Sequence, residues 1–284
     1  MGTARLSLST VAFRAGELVP ALKLAARLGL AGVEVGPAHA AELRGSPQDF
    51  EDARAAFARL DLRPLSLHAW RHVDGLEEIC PFAVELGAGL IVVHCPHEAI
   101  VAGLEAQASV LRRWNAWCRE RGITLTVENA SRQPLEPFAE LFRAMPGLAM
   151  TLDVKHAYKP ETLGLTHADY LRELGERVAN LHLCGIDRSC EALGDGCPPG
   201  RDAVDWAELA RDLASRGYAG LATVELSYPG HLTPGEIEAA YAGLRPAAIA
   251  CTGLSERLAA RGVEFFRSEL APLFSKGAGV SGKG

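Results

Sequence analysis

The sequence predicts an α/β protein folded as a single-domain (β/α)8 TIM barrel, and three observations predict it. Short apolar, β-branched segments recur eight times at intervals of about 25–40 residues, the length of one βα unit. Between them lie stretches with apolar residues three and four apart, the spacing of one helix face. Several of those stretches end in glycine one to three residues before the next strand, as helix C-termini do. Eight strands alternating with helices favour a closed barrel over an open sheet. No G-x-G-x-x-G follows the first strand, so the dinucleotide-binding open sheet is the weaker reading.

The elements follow in order. Strand one is expected over 6–9, then the helix ELVPALKLAARLGL leads to strand two at 32–35. Strand three covers 64–68, and EEICPFAVELGA feeds strand four at 90–94. ASVLRRWNAWCRERG precedes strand five at 124–128, and LEPFAELFRAM precedes strand six at 149–153. DYLRELGER leads to strand seven at 178–183, and DWAELARDLASRG to strand eight at 221–225. In LGLAGVEV, LGAGLIVV, RGITLTVE and RGYAGLATVE the glycine after the helix is read as a left-handed stop before the strand. Two more helical stretches, 232–253 and 254–274, complete the outer ring, so the barrel with its C-terminal helices spans 1–275. Residues 276–284 are rich in Gly and Ser and read as a disordered tail.

A chain of 284 residues buries a large core without disulfides or structural metals. A net charge of -6 argues against nucleic acid as the main partner, because phosphate binding draws on a basic surface. The seven cysteines are odd in number and none are paired at zinc-knuckle or redox spacing, which fits a reduced, cytoplasmic setting with Cys184, Cys190 and Cys197 as free thiols. Neither a signal peptide nor an apolar stretch approaching about 20 residues is evident, so a soluble protein is expected.

Catalytic groups in this fold sit where strands end and βα loops begin. Those positions hold Glu34, His68, His94, Glu128 with Asn129, Asp153, His182 and Glu225, with His156 just beyond strand six. Charges at the ends of apolar strands are costly unless paired or metal-bound, and several carboxylates facing one mouth repel unless a cation neutralises them. Two Glu, one Asp and His suit a divalent ion such as Mn²⁺, Mg²⁺, Co²⁺ or Zn²⁺.

The run of LGLAGVEV, GITLTVENA, MTLDVKHAY, VANLHLCGID, PPGRDAVDW and GYAGLATVEL resembles the xylose isomerase-like TIM-barrel superfamily, which holds sugar isomerases and epimerases together with endonuclease IV. The resemblance spans most of the chain. It implies metal ligands at Glu128, Asp153, His182 and Glu225, and a substrate-contacting histidine at His156. In endonuclease IV-like members the positions matching His68 and His94 also bind metal. Here those two histidines stand open between a second metal, substrate contact, and hydrogen bonding inside the barrel. Gly196 and Cys197 occupy the place where a further His is expected, which counts against a third metal; Asp195 and Cys197 compensate only in part.

The implied activity is divalent-metal-dependent isomerisation or epimerisation of a sugar, sugar phosphate or related polyol. Glu128 and Glu225 are the expected proton-transfer groups, working through a metal-stabilised enediolate. His156, His68 and His94 are the expected substrate contacts. The rivals are an endonuclease IV-like phosphodiester hydrolase, a lyase or dehydratase using the same metal site, and a non-catalytic ligand-binding barrel. Among the remaining residues, Trp114 and Trp117 read as packing, Trp70 as a possible pocket wall, and His97 as loop. Lys155, Arg188 and Arg201 read as solvated surface.

Overall fold

In the computed structural model, the described residues are 4–129, 133–158, 164–186, 203–226 and 254–274. Eight parallel strands close into a barrel in sequence order, β1 pairing with β8 through Arg5–Leu221 to Leu8–Val224. The strands are β1 Arg5–Ser9, β2 Gly32–Val35, β3 Arg63–His68, β4 Leu90–His94, β5 Thr124–Glu128, β6 Ala149–Asp153, β7 Val178–Leu183 and β8 Leu221–Val224. Each lies within a residue or two of its expected place. Glu225 follows the last strand directly, its backbone N–H donating to Leu183 O at 3.1 Å.

The helices are α1 Leu18–Arg27, α2 Pro37–Gly45, α3 Pro47–Arg59, α4 Leu76–Leu86, α5 His97–Arg119, α6 Leu135–Ala144, α7 Val154–Ala157, α8 His167–Leu174, α9 Trp206–Ser215, α10 Leu254–Glu269 and α11 Ala271–Phe274. The pair α2 and α3 fills the β2–β3 connection, where the sequence reading named no helix. Ser46 separates them and starts α3 as an N-cap, its side chain accepting from Asp49 N. Helix α5 is longer than expected: it absorbs His97, read as loop, and carries a non-helical Gly103 inside. The expected helix at 232–253 and the tail at 276–284 lie outside the described residues.

The four glycines predicted to stop helices do so. Gly29, Gly87, Gly122 and Gly217 all have positive φ, between 66° and 80°. A side chain there would pay a steric penalty in the left-handed region, so these positions set where each strand begins.

Two cores result. The larger lies between strands and helices and holds fully buried Leu22, Leu24, Ile79, Ile91, Leu111, Phe138, Phe142 and Phe266. Each such side chain contributes about 1.5–3 kcal/mol on burial. Trp114 and Trp117 pack edge to face on each other, ring centroids 5.6 Å apart, and both lie against this core, as read from their spacing. The smaller core, Leu65, Leu90, Val92 and Leu221, forms a separate cluster of strand residues. Hydroxyls and an amide also bond between neighbouring strands: Ser7 with Thr223 (2.9 Å), Thr223 to Asn180 (3.0 Å) and Thr126 with Thr151 (2.7 Å).

This arrangement aims the site. Along a strand, residues i and i+2 share a face. Ser66 precedes His68, Thr126 precedes Glu128, Thr151 precedes Asp153, Asn180 precedes His182 and Thr223 precedes Glu225, each by two positions. The face that carries the buried hydroxyl network therefore ends in an acid or an imidazole.

Candidate metal centre and active site

The strand-end groups converge. His182 on β7 reaches across the barrel to Glu34 on β2, with Nε2 3.1 Å from Oε2. Its Nδ1 lies between Glu128 Oε1, at 3.1 Å, and Glu225 Oε2, which it also contacts. His68 Nε2 is 3.3 Å from Glu128 Oε2, and its Nδ1 is 3.6 Å from Glu34 and 3.9 Å from Glu225. His94 Nε2 is 2.9 Å from Glu128 Oε2. Potential ligand atoms of Glu128, Asp153, His182 and Glu225 all lie within 4.8 Å of one another. The same holds for His68, His94 and Glu128, and for Glu34, His68, His182 and Glu225.

Asp153 ends β6 and caps α7, its Oδ1 accepting from His156 N at 3.1 Å. Asn129 clamps its backbone from both sides: Asp153 N donates to Asn129 Oδ1 (2.7 Å), and Asn129 Nδ2 donates to Asp153 O (3.0 Å). Both residues are fully buried. Asn129→Ala orphans the buried Asp153 N–H and takes one donor from its C=O, and should cost about 1–3 kcal/mol of stability. It should also loosen divalent-metal binding through Asp153. Denaturant unfolding and a metal titration check the two effects separately.

The electrostatics are those of a nearly dry cluster. Burial alone would raise the carboxyl pKa values of Glu34, Glu128 and Glu225, yet the facing imidazoles hold all three below the usual range, helped at Glu225 by Lys155. Burial alone would likewise lower His68, but Glu128, Glu34 and Glu225 push it up to about 9. His182 is pushed up against burial by Glu225, Glu34 and Glu128.

The donor set fits a cation. Asp153 Oδ2, Glu34 Oε1 and His68 Nδ1 are buried without a hydrogen-bond partner among the described residues. Buried polar atoms left this way are costly, and an oxygen-rich set with one or two imidazoles is what a divalent ion takes.

Two residues depart from their expected places. Lys155, read as solvated surface, is only 6% exposed and sits with Nζ 3.4 Å from Asp153 Oδ2. It is the second residue of the short helix α7 after β6, whose turn folds the side chain inward; Arg188 and Arg201, grouped with it in the reading, lie outside the described residues. Glu34, placed at a strand end but given no role, is fully buried among the histidines and accepts from Ser66 Oγ at 2.9 Å. Its position was legible; its partner across the barrel was not.

His156 Nε2 is 3.6 Å from Asp153 Oδ2, beside the cluster. Cys184 is a buried free thiol whose Sγ lies 3.7 Å from Asp153 Oδ1, while Cys190, Asp195, Gly196 and Cys197 lie outside the described residues. A cavity of about 410 Å³ opens beside His68 and His94, walled by Pro37, Trp70, Arg71, His72 and Asp74. Trp70 thus lines it. A larger cleft of about 600 Å³ surrounds Arg5, Arg63 and Tyr218 at the opposite, N-terminal ends of the strands. None of the clustered groups lines that cleft, and chemistry in this fold sits at the other end.

A closed parallel barrel with acids and imidazoles gathered at its strand ends defines the class: a TIM barrel with an enzyme-like centre. The chain belongs to the xylose isomerase-like TIM barrel family, whose model matches residues 22–267. An uncharacterised protein of Mycobacterium tuberculosis is 26% identical over 257 residues, covering 78% of this chain and 89% of that protein. D-psicose 3-epimerase from Clostridium cellulolyticum H10, solved with D-tagatose, superposes with a TM-score of 0.69 at 14% identity, covering 94% of this chain and 99% of that one. An IOLI protein with a bound zinc atom gives 0.66 at 15%, covering 97% and 100%. A probable 3-DHS dehydratase of petrobactin synthesis from Bacillus anthracis gives 0.64 at 14%, covering 83% and 96%. At these identities the solved structures share the fold. Among the described residues, no helix is long and apolar enough to cross a membrane.

Proposed function

We propose that this protein is a divalent-metal-dependent isomerase or epimerase of a small carbohydrate-like substrate: a sugar, sugar phosphate or related polyol. The observation that carries the reading is the convergence of Glu128, Asp153, His182 and Glu225, one from the end of each of four strands, with their ligand atoms within 4.8 Å. These four would hold the ion, and the zinc atom in a neighbour of the same fold supports a divalent metal. A Mn²⁺, Mg²⁺, Co²⁺ or Zn²⁺ ion bound there supplies Lewis-acid stabilisation of charge developing on substrate oxygens.

The chain's own groups supply the rest. Glu128 and Glu225 both contact His182 Nδ1, which gathers the two carboxylates at one place at the barrel mouth. One ionised carboxyl would accept the proton beside the substrate carbonyl, and the other, entering the cycle protonated, would return a proton to the opposite face, so that the two exchange protonation states in each turnover. His156 orients a substrate oxygen next to Asp153, and His68 and His94 present imidazole edges to the cavity.

The test is a screen of ketoses, ketose phosphates and inositol-type compounds with metal-loaded protein in D₂O. Solvent deuterium should enter at one carbon beside the carbonyl as the isomer forms. A lyase reading draws on the dehydratase likeness and the same groups, and shows itself by loss of water from the substrate. Metal-dependent cleavage of a phosphodiester with no deuterium entry would overturn both.

A further inference from the structure

Beside the four buried carboxylates and their imidazoles, the described residues place one buried ammonium, that of Lys155. Lys155 is 6% exposed, its Nζ 3.4 Å from Asp153 Oδ2, and that oxygen has no hydrogen-bond partner among the described residues. His156 Nε2 approaches the same oxygen at 3.6 Å, while Oδ1 is engaged by His156 N. The oxygen best placed for an incoming ion is therefore the one the ammonium faces.

We propose that Lys155 is a positioning residue acting as a resident counter-ion, which shares Asp153 with the metal and so keeps the ion exchangeable. It rests on the metal-centre reading above. In the metal-free protein the ammonium offsets part of the carboxylate repulsion and holds the strand ends together. When a divalent ion arrives, the same ammonium competes for Asp153 and repels the ion. The ammonium is paired with the Asp153 carboxylate at 3.4 Å, the kind of partner a buried lysine needs to stay charged.

The experiment titrates Mn²⁺ and Zn²⁺ into metal-stripped wild type, Lys155→Met, Lys155→Gln and Lys155→Arg, with thermal melts of each form. Met and Gln come within one atom of the length of the side chain and remove its charge; Gln stays informative if Met fails to fold. Both uncharged variants should bind metal at least tenfold more tightly and melt lower than wild type only when metal-free. Arg should behave as wild type. Wild type that binds metal while the uncharged variants bind it equally or more weakly would overturn the role of Lys155 and leave the metal centre standing. Wild type that takes up neither ion would instead overturn the metal centre itself.

Discussion

Glu225→Gln should lower turnover roughly 10³-fold at saturating metal, the scale of losing one acid–base group, while the barrel stays folded. Gln has the shape of Glu but takes no proton at neutral pH. The change removes a carboxylate from an excess, and His182 keeps Glu34 and Glu128 as partners at 3.1 Å each, so the barrel does not gain an uncompensated buried imidazolium. Glu225 is also an expected ligand, so bound metal must be counted in the variant at the concentration used for the assay. A fall in kcat with the ion still bound assigns the proton transfer to Glu225. Near-native deuterium wash-in and turnover would remove Glu225 from the mechanism.

The second large effect is on stability. Stripping the protein with a chelator should abolish activity and lower its melting temperature, and adding back Mn²⁺, Mg²⁺, Co²⁺ or Zn²⁺ should restore both. An ion at a hundred times its Kd stabilises by about 2.7 kcal/mol, or roughly 5 °C for a domain of this size. The reason is local: Asp153 Oδ2 and Glu34 Oε1 are buried without hydrogen-bond partners among the described residues, and an ion beside them relieves that cost. Asp153→Asn should reduce the metal-induced rise to a fraction of the wild-type value. An unchanged melting temperature with all four ions would show that the cluster is neutralised by its own histidines and Lys155.

The same cluster explains a preference among readings. Phosphodiester cleavage in this superfamily draws on clustered metals. His68, His94 and Glu128 are close enough to hold a second ion, but they are already joined by contacts of 2.9–3.3 Å around one carboxylate oxygen of Glu128. With the acidic balance of the chain, carbon-acid chemistry on a small substrate is the better supported reading.

Much of this was legible from the order of residues alone. Strands have a period of two, and helices close at glycine, so a polar residue closing an apolar run falls at the barrel mouth whichever strand carries it. That logic places Glu128, Asp153 and His182 at the ends of their strands and Glu225 one residue beyond β8. It also puts the helix stops at Gly29, Gly87, Gly122 and Gly217. It was weaker where no strand period applies: the α2–α3 pair, the start of α5 at His97, and the short turn of α7.

What the sequence by itself determined is the barrel and the strand ends that carry the acids and imidazoles. What only the tertiary structure decided is who faces whom. Glu34 and His182 meet across 148 residues because barrel closure sets β2 and β7 on opposite walls. Lys155, polar and next to a strand end, reads as solvent-facing until the turn after β6 swings it beneath the mouth beside Asp153. A residue's type and spacing fix its face on an element. Its partners depend on the closure of all eight strands, a non-local property that no window of sequence contains.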